Sequence, residues 1–550
     1  MRRPPAPAVP PSRAHLCLRA LLLSATFVLP VVFMKGKSVT EDEIAHLPAG
    51  YSYLRTGRIV LNPMHPPLVK EICALPLLFL GLDMPVDRDT LPANAADVTY
   101  QRKFGGDFLV QPGRDRAIFW GRVPAVLLSV ALAMVVAKWA AELWGPAGGT
   151  LALFLYAFDP TINAHAQLVT TDLGFALFAT LFLHQLRRYL REPRRVRLIA
   201  SGAALGLALG AKFSALVLVP LAAVLLFAVA WIGDGADGID EGGSRPHSIG
   251  SAQRGRPRRI ASACGTILAL AAVAYLVLWL VYLCPADPLF YLRGLRTLGE
   301  DNDPRYLNFL MGEFRPGRWP AYLTIAWLVK TPLPSLILIA AAVTLAVRGT
   351  RSGWIDELFV AAPPLVLLAA YSLFAAPSGI RYLIPCFPFL FVFAARAAVT
   401  ASRAASLALS ALLTWYVVEF AAISPDQLSY FNQIAGGPSG GVRWLDESNV
   451  DWGQGLIQLR SYLDDHPLER YRLCCFGCLD PGSYGLDGEP ILVSGLLSPP
   501  PGTLILSAHC VARARAWLAQ RHGEGPGNWL AHQAPTAIVG HAYYVYEIGR

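Results

Sequence analysis

Apolar positions in this chain come in long unbroken blocks, with little alternation and little amphipathic spacing over the first three quarters of its length. His15–Met34, Ile118–Ala140, Ile260–Leu283 and Leu358–Ala376 are examples, and each is long enough to cross a hydrocarbon core, which takes about 20 residues of helix. The pattern predicts about eleven transmembrane helices. They fall at Leu16–Met34, 117–140, 147–163, 171–187, two short helices sharing 198–232, then 260–284, 319–347, 355–376, 380–398 and 404–423. The stretch 198–232 is divided because Lys212 interrupts it near the middle. From Ser424 onward the pattern changes. Short apolar stretches, Ile491–Ser494, Leu504–Ser507 and Tyr543–Ile548, are separated by Gly, Pro and Asp, and Leu456, Leu459 and Leu463 share one helical face. The expectation is a multi-span membrane domain over 1–423 and a small α/β domain over 424–550, large enough to fold alone.

Composition agrees with insertion into a bilayer. Hydrophobic residues make up 54% and charged residues 15% of the chain, where a soluble chain carries roughly 25% charged residues. Mean hydropathy is +0.43. The net charge of +9 does not describe a nucleic-acid groove, because the basic residues cluster between apolar blocks. Arg187, Arg188, Arg191, Arg194, Arg195 and Arg197 form one group, Arg254, Arg256, Arg258 and Arg259 a second, Arg348 and Arg351 a third. Such clusters are retained on the cytoplasmic side. The first apolar run has the outline of a signal peptide, but it ends Phe-Met-Lys-Gly-Lys with no small-residue cleavage site, and reads as a retained span with its N-terminus inside. Alternation then places 35–116 outside as a long loop, with Pro66–Leu82 as an interfacial helix. It places 233–259 inside as a disordered, Gly-, Asp- and Arg-rich linker, and the C-terminal domain outside.

With sides assigned, the polar motifs collect on one face. They are Glu41-Asp42-Glu43 with His46, then Asn62-Pro63-Met64-His65-Pro66-Pro67, His165 with Thr170-Thr171-Asp172, Lys212, Lys330-Thr331-Pro332, and Gly379-Ile380-Arg381-Tyr382. His165 and Asp172, seven apart, would share a face on a continuous helix. A single Lys or Arg near a span end commonly snorkels to the interface. The set is harder to explain that way, since Lys212 and Lys330 interrupt apolar stretches, where a charge costs at least about 2.5 kcal/mol unless it lines a polar cavity. Acids, histidines and cations gathered on one side suit a site that binds an anion and performs acid–base work. Among nine cysteines, Cys17, Cys73, Cys264, Cys284 and Cys386 read as small buried hydrophobes. Cys474, Cys475, Cys478 and Cys510 allow a zinc site or a disulfide, although a single CxxC between strand-like flanks favours a plain structural role.

The run EDEIAHLPAGYSYLRTGRIVLNPMHPPLVKEICALPL from Glu41 to Leu77 resembles the first loop of the protein O-mannosyltransferase and aminoarabinose-transferase group. The likeness continues, in order, through the TTD turn, GAKFSA, VKTPLP, GIRYLIP, LSYFNQIAGGP and SNVDWGQGL. The resemblance implies a C-type glycosyltransferase fold that takes a sugar from a polyprenyl-phosphate carrier and passes it to an extracytoplasmic protein, lipid or cell-wall polymer. The setting it implies is a bacterial inner membrane. It implies Asp42 as catalytic base with Glu43 as second choice. His65, Lys212, Lys330, Arg381 and Tyr382 would contact the donor phosphate, and His46, His165 and Asp172 would organise the acceptor or a metal. A divalent metal, with Asp172 as its candidate ligand, stays open. The residue before the HPP histidine is acidic in many relatives; here it is Met64, a poor ligand for hard cations. Asp446, Asn449 and Asp451 could serve an acceptor or equally be turn and cap residues, and receive no catalytic role. The competing class is a lipid-linked sugar flippase or transporter, which often carries internal repeats with paired broken helices; no such repeat is evident between the two halves.

Overall fold

The structure, a computed structural model, describes residues 12–85, 96–232, 249–300, 306–349, 353–375, 379–399 and 402–549. The protein is a polytopic α-helical membrane protein with a small mixed sheet near its C-terminal end. Seven helices among the described residues are long and apolar enough to span a membrane, and nine if two sharply bent helix pairs each count as one. The remaining two expected spans have physical explanations. Arg114–Ala157 is one helix of 44 residues with non-helical backbone at Gly145 (φ 72°, ψ −175°), where glycine permits a left-handed φ and Pro146 follows. The stretch beyond Gly145, with Pro160–Ala166, corresponds to the expected third span. Arg195–Ala211 is short at 17 residues, and stops at Lys212, whose extended backbone (φ −155°, ψ 138°) makes the expected hairpin.

The bent pairs matter for the site. Pro160–Ala166 and Thr171–Arg191 meet at 114°, and Tyr322–Lys330 and Leu333–Val347 at 110°. The expected single span over 319–347 is therefore broken at Thr331-Pro332, since proline cannot continue the helix ladder. His165 and Asp172 likewise lie on two helices instead of one. Of the expected linker 233–259, residues 233–248 lie outside the described ones, and the chain is helical from Ile249 to Val281.

One end of the bundle is tied by ion pairs. Arg187 and Arg191, at the end of Thr171–Arg191, both bind Asp356 in the first turn of Trp354–Phe374, and Arg187 also reaches Glu142 at 2.8 Å. Arg396 pairs with Glu357 at 2.7 Å. Arg19 donates to Pro146 O at 2.6 Å, which brings the break at Gly145 to the start of the first span. The opposite end carries the long loop and the sheet. Within the loop, Glu41–Thr56, Leu68–Ala74 and Val98–Leu109 are helices. Leu68–Ala74, expected along an interface, is packed within the protein. Leu68, Val69, Lys70, Glu71, Cys73 and Ala74 are buried, and only the following turn, with Phe79 87% exposed, faces outward. Gly50 allows the approach, because a Cβ there would strike the Lys70 carbonyl.

The five-stranded sheet runs in the order Glu489–Pro490, Tyr471–Cys474, Gly502–Ser507, Tyr543–Ile548, Ala537–Val539. The first three strands are parallel, and the last two pairings are antiparallel. Alternation sends Leu473, Ile505 and Val545 to one face, packed on Leu456 and Leu459 of the helix Leu456–Asp465. Leu504, Leu506, Tyr544 and Tyr546 on the other face join the same apolar core as the membrane helices. The expected stretch Ile491–Ser494 is not a strand; the edge strand lies just before it. Cys474–Cys510 and Cys475–Cys478 are disulfides, so these thiols are not a zinc set.

Candidate active site

Asp42 stands in the first turn of Glu41–Thr56, and Arg381 in the first turn after Gly379, whose φ of 100° a side chain would resist. Arg381 Nη1 donates to Asp42 Oδ2 at 2.5 Å, both side chains being a little under one-fifth exposed. Asp172 Oδ1 accepts from Lys212 Nζ at 2.5 Å, the two almost fully buried. Asp172 also lies within electrostatic reach of Arg381 and His165. The ring of Tyr382 lies 4.6 Å from Lys212 Nζ. His46 and His65 meet edge to face at 5.0 Å between ring centroids. Four segments far apart in the chain thus converge on charges of both signs: Asp42, Arg381, Asp172, Lys212. A cavity of 350 Å³ reaches His65 from the side, walled by Pro63, Tyr282, Phe290, Arg293 and Thr297.

The convergence has a structural hub in the peptide of Val169, just ahead of the TTD turn. Its N–H donates to Glu43 Oε1 at 3.0 Å and its carbonyl meets His46 Nδ1 at 3.2 Å. Glu43 is fully consumed by this arrangement. Arg122 donates to both its carboxylate oxygens, at 2.8 and 2.7 Å, and the Thr40 N–H and hydroxyl add two bonds of 3.0 Å. Burial works to raise the Glu43 pKa, but Arg122 and the backbone donors outweigh it and hold it below the usual carboxylate range. Glu43, expected as the second choice of base, thus has both carboxylate oxygens engaged within the fold.

Lys330, expected at the donor phosphate, donates to Asn449 O at 2.5 Å and Leu428 O at 2.7 Å, and lies over the Phe431 ring. Two of its three protons bind backbone. His65, expected as a basic contact, is pushed toward its neutral form. Burial pushes its imidazole well below its usual pKa, and His46, Lys70, Lys212 and Arg381 press the same way. Burial likewise lowers His46. His165 is buried with no hydrogen-bond partner at Nδ1 among the described residues, 6.3 Å from the Trp452 ring. The donor set does not suit a divalent metal. Asp42 and Asp172 are each occupied by a cation, and no group of three or more His, Cys, Asp or Glu among the described residues is arranged to hold an ion.

Sequence reasoning missed Lys70, Arg122 and Trp452. Lys70 is fully buried and fastens the Asn62–His65 loop, donating to Asn62 O at 2.8 Å and His65 O at 2.6 Å. Its charge within an apolar run was the available signal. Arg122, a lone Arg inside a span, carried the same signal. Trp452 lies 4.5 Å from the Arg381 guanidinium, and nothing local in SNVDWGQGL pointed to a partner 71 positions away.

Residues 114–233 match the family model of dolichyl-phosphate-mannose-protein mannosyltransferases, so the resemblance to the O-mannosyltransferase group holds across that stretch. No curated protein matches the chain. Among solved structures, it is similar to ArnT from Cupriavidus metallidurans bound to undecaprenyl phosphate, at 12% identity and a TM-score of 0.49, covering 96% of this chain and 97% of that one. The archaeal oligosaccharyltransferase AglB from Archaeoglobus fulgidus, with an inhibitory peptide and a dolichol-phosphate, aligns at 9% identity and a TM-score of 0.46, over 95% and 72% of the two chains. The protein O-mannosyltransferase Pmt1-Pmt2 complex of S. cerevisiae aligns at 16% identity and a TM-score of 0.34, over 55% and 40%.

Proposed function

We propose that this protein is a membrane glycosyltransferase that moves a sugar from a polyprenyl-phosphate carrier to an acceptor on the extracytoplasmic face. The observation that carries the reading is the alternation Asp42–Arg381–Asp172–Lys212, assembled at one end of the bundle from segments that share no local structure. The family-model match over 114–233, which contains Asp172 and Lys212, supports it.

The chemistry follows from the charges. Asp42 is the more exposed acid of the two pairs and takes the proton from the acceptor nucleophile as that atom bonds to the anomeric carbon. The bond from that carbon to the carrier phosphate breaks, its electron pair leaves with the phosphate, and configuration inverts. Arg381 and Lys212 stabilise the charge that develops on the departing phosphate. Asp172 keeps both cations in place, and the imidazoles of His46 and His65 lie beside them.

The test uses purified protein in nanodiscs with a panel of polyprenyl-phosphate-linked hexoses and pentoses. Release of polyprenyl phosphate, lost by at least about 100-fold in Lys212→Ala, is the expected result. Movement of intact donor across proteoliposomes with no release would instead establish the transporter class.

A further inference from the structure

The segment from Asn449 to Gln454 touches Arg381 and the residues that lead into Asp42. On the acid side it is bonded through main chain to the residues just before Asp42. Glu41 N donates to Trp452 O at 3.2 Å and Ser38 N to Gln454 O at 3.0 Å. Ser38 Oγ donates to Gly453 O at 2.6 Å and accepts from Leu456 N at 2.9 Å. On the cation side, Asn449 Oδ1 accepts from Ile380 N, the residue before Arg381, at 2.9 Å. The Trp452 indole covers the Arg381 guanidinium at 4.5 Å.

The segment is itself rigid. Asp451 Oδ1 accepts from Gly453 N at 3.0 Å, and Gln454 Oε1 accepts from Trp452 N at 2.6 Å. Gly453 has a φ of 90°, and a Cβ there would strike the Gly477 carbonyl, so only glycine suits the turn. Lys330 and Tyr322 anchor Asn449 from the eighth span, Lys330 Nζ on its carbonyl at 2.5 Å and its Nδ2 donating to Tyr322 OH at 3.0 Å. Trp452 is buried, packed with Ala164, Leu168 and Leu428 and against Phe476.

We infer that SNVDWGQG is a clasp that fixes the register of Asp42 against Arg381, with Trp452 as a positioning residue acting through Arg381. A buried guanidinium under an aromatic face keeps its charge and loses its freedom to rotate away from the carboxylate. The π face attracts it while offering no competing acceptor. The catalytic role of the pair rests on the glycosyltransferase reading; the clasp itself does not.

Two measurements keep these apart. The first needs no substrate: labelling of Asp42 by a water-soluble carbodiimide, quantified by mass spectrometry in the full-length protein. Trp452→Leu is expected to raise labelling of Asp42 by about 10-fold, Trp452→Phe by no more than about 3-fold, because the ring face is kept. In an Arg381→Ala background, Trp452→Leu should add nothing, since residues acting through one another are not additive. The second is the Kd for a fluorescent polyprenyl phosphate in the same five proteins, with the same non-additivity expected. Equal effects of Trp452→Leu with and without Arg381, or no effect in either, overturn the clasp and leave Trp452 as packing. If the unaltered protein ignores polyprenyl phosphate, the functional reading fails, and the labelling result still decides the clasp.

Discussion

Asp42 and Glu43 are neighbours in sequence with opposite surroundings, and helix geometry is the reason. Consecutive residues point about 100° apart, so Asp42 faces Arg381 at the site while Glu43 turns inward to Arg122 and Val169. Asp42→Asn keeps size and hydrogen bonding but removes the proton acceptor. It is expected to cut transfer by at least about 100-fold with a smaller fall in melting temperature than Glu43→Gln, because the Asp42–Arg381 pair is nearly one-fifth exposed and the Glu43–Arg122 pair is not. Glu43→Gln leaves Arg122 buried with a neutral partner, and breaking a buried pair costs roughly 3–5 kcal/mol, so its effect should appear as lost folded protein and a lower Tm. Transfer per folded molecule and thermal unfolding of both variants separate the outcomes. A Glu43→Gln protein of normal Tm and no activity would exchange the two roles. The sequence announced that this loop holds acids, because three in a row after a span are conspicuous. It could not say which acid is spent on structure, since the deciding partners lie 79 and 126 positions away. Lys330 is the same lesson: its partners are carbonyls 98 and 119 positions off, and a carbonyl acceptor leaves no trace in side-chain chemistry.

At the level of elements, the spans were legible because hydrocarbon thickness demands an unbroken apolar length, and that demand is local. Bends were not: the break between Pro160–Ala166 and Thr171–Arg191 carries no proline to mark it, and Thr331-Pro332 marks a break without giving its angle. The short helix Leu68–Ala74 shows how burial reverses an amphipathic reading. Its Lys70 and Glu71 suggested an interface, yet the helix is packed inside, with Glu71 Oε1 left without a partner among the described residues. Burial raises the Glu71 pKa from 4.5 to about 7, with Lys70 partly offsetting it. Between these values the folded protein holds a proton that the unfolded chain has released, so the stability contributed by Glu71 falls as pH rises from about 4.5 to about 7. Melting temperature measured across that window should show the decline, and Glu71→Gln should flatten it. An unchanged slope in the variant would place the titration elsewhere.

The whole molecule has two chemically distinct ends. At one, Arg187, Arg191 and Arg396 bind Asp356, Glu142 and Glu357 across span termini. The first basic cluster of the sequence therefore stitches helices together there as well as biasing orientation. At the other end lie the paired acids and cations, the long loop, and the sheet whose Leu504, Leu506, Tyr544 and Tyr546 share the membrane helices' core. Because that face of the sheet is buried with the bundle, the C-terminal region cannot lie on the opposite side from Asp42 without exposing it. An extracytoplasmic site thus implies an extracytoplasmic C-terminus, as the retention of Arg clusters inside also requires. Fusions after Arg550 test this directly in a bacterial host. Alkaline phosphatase, active only outside the cytoplasm, is expected to be active, and green fluorescent protein exported in the same position to be dark. The reverse pattern would turn the whole bundle over, put the Asp42–Arg381 and Asp172–Lys212 pairs on the cytoplasmic face, and require the donor and acceptor to be sought there.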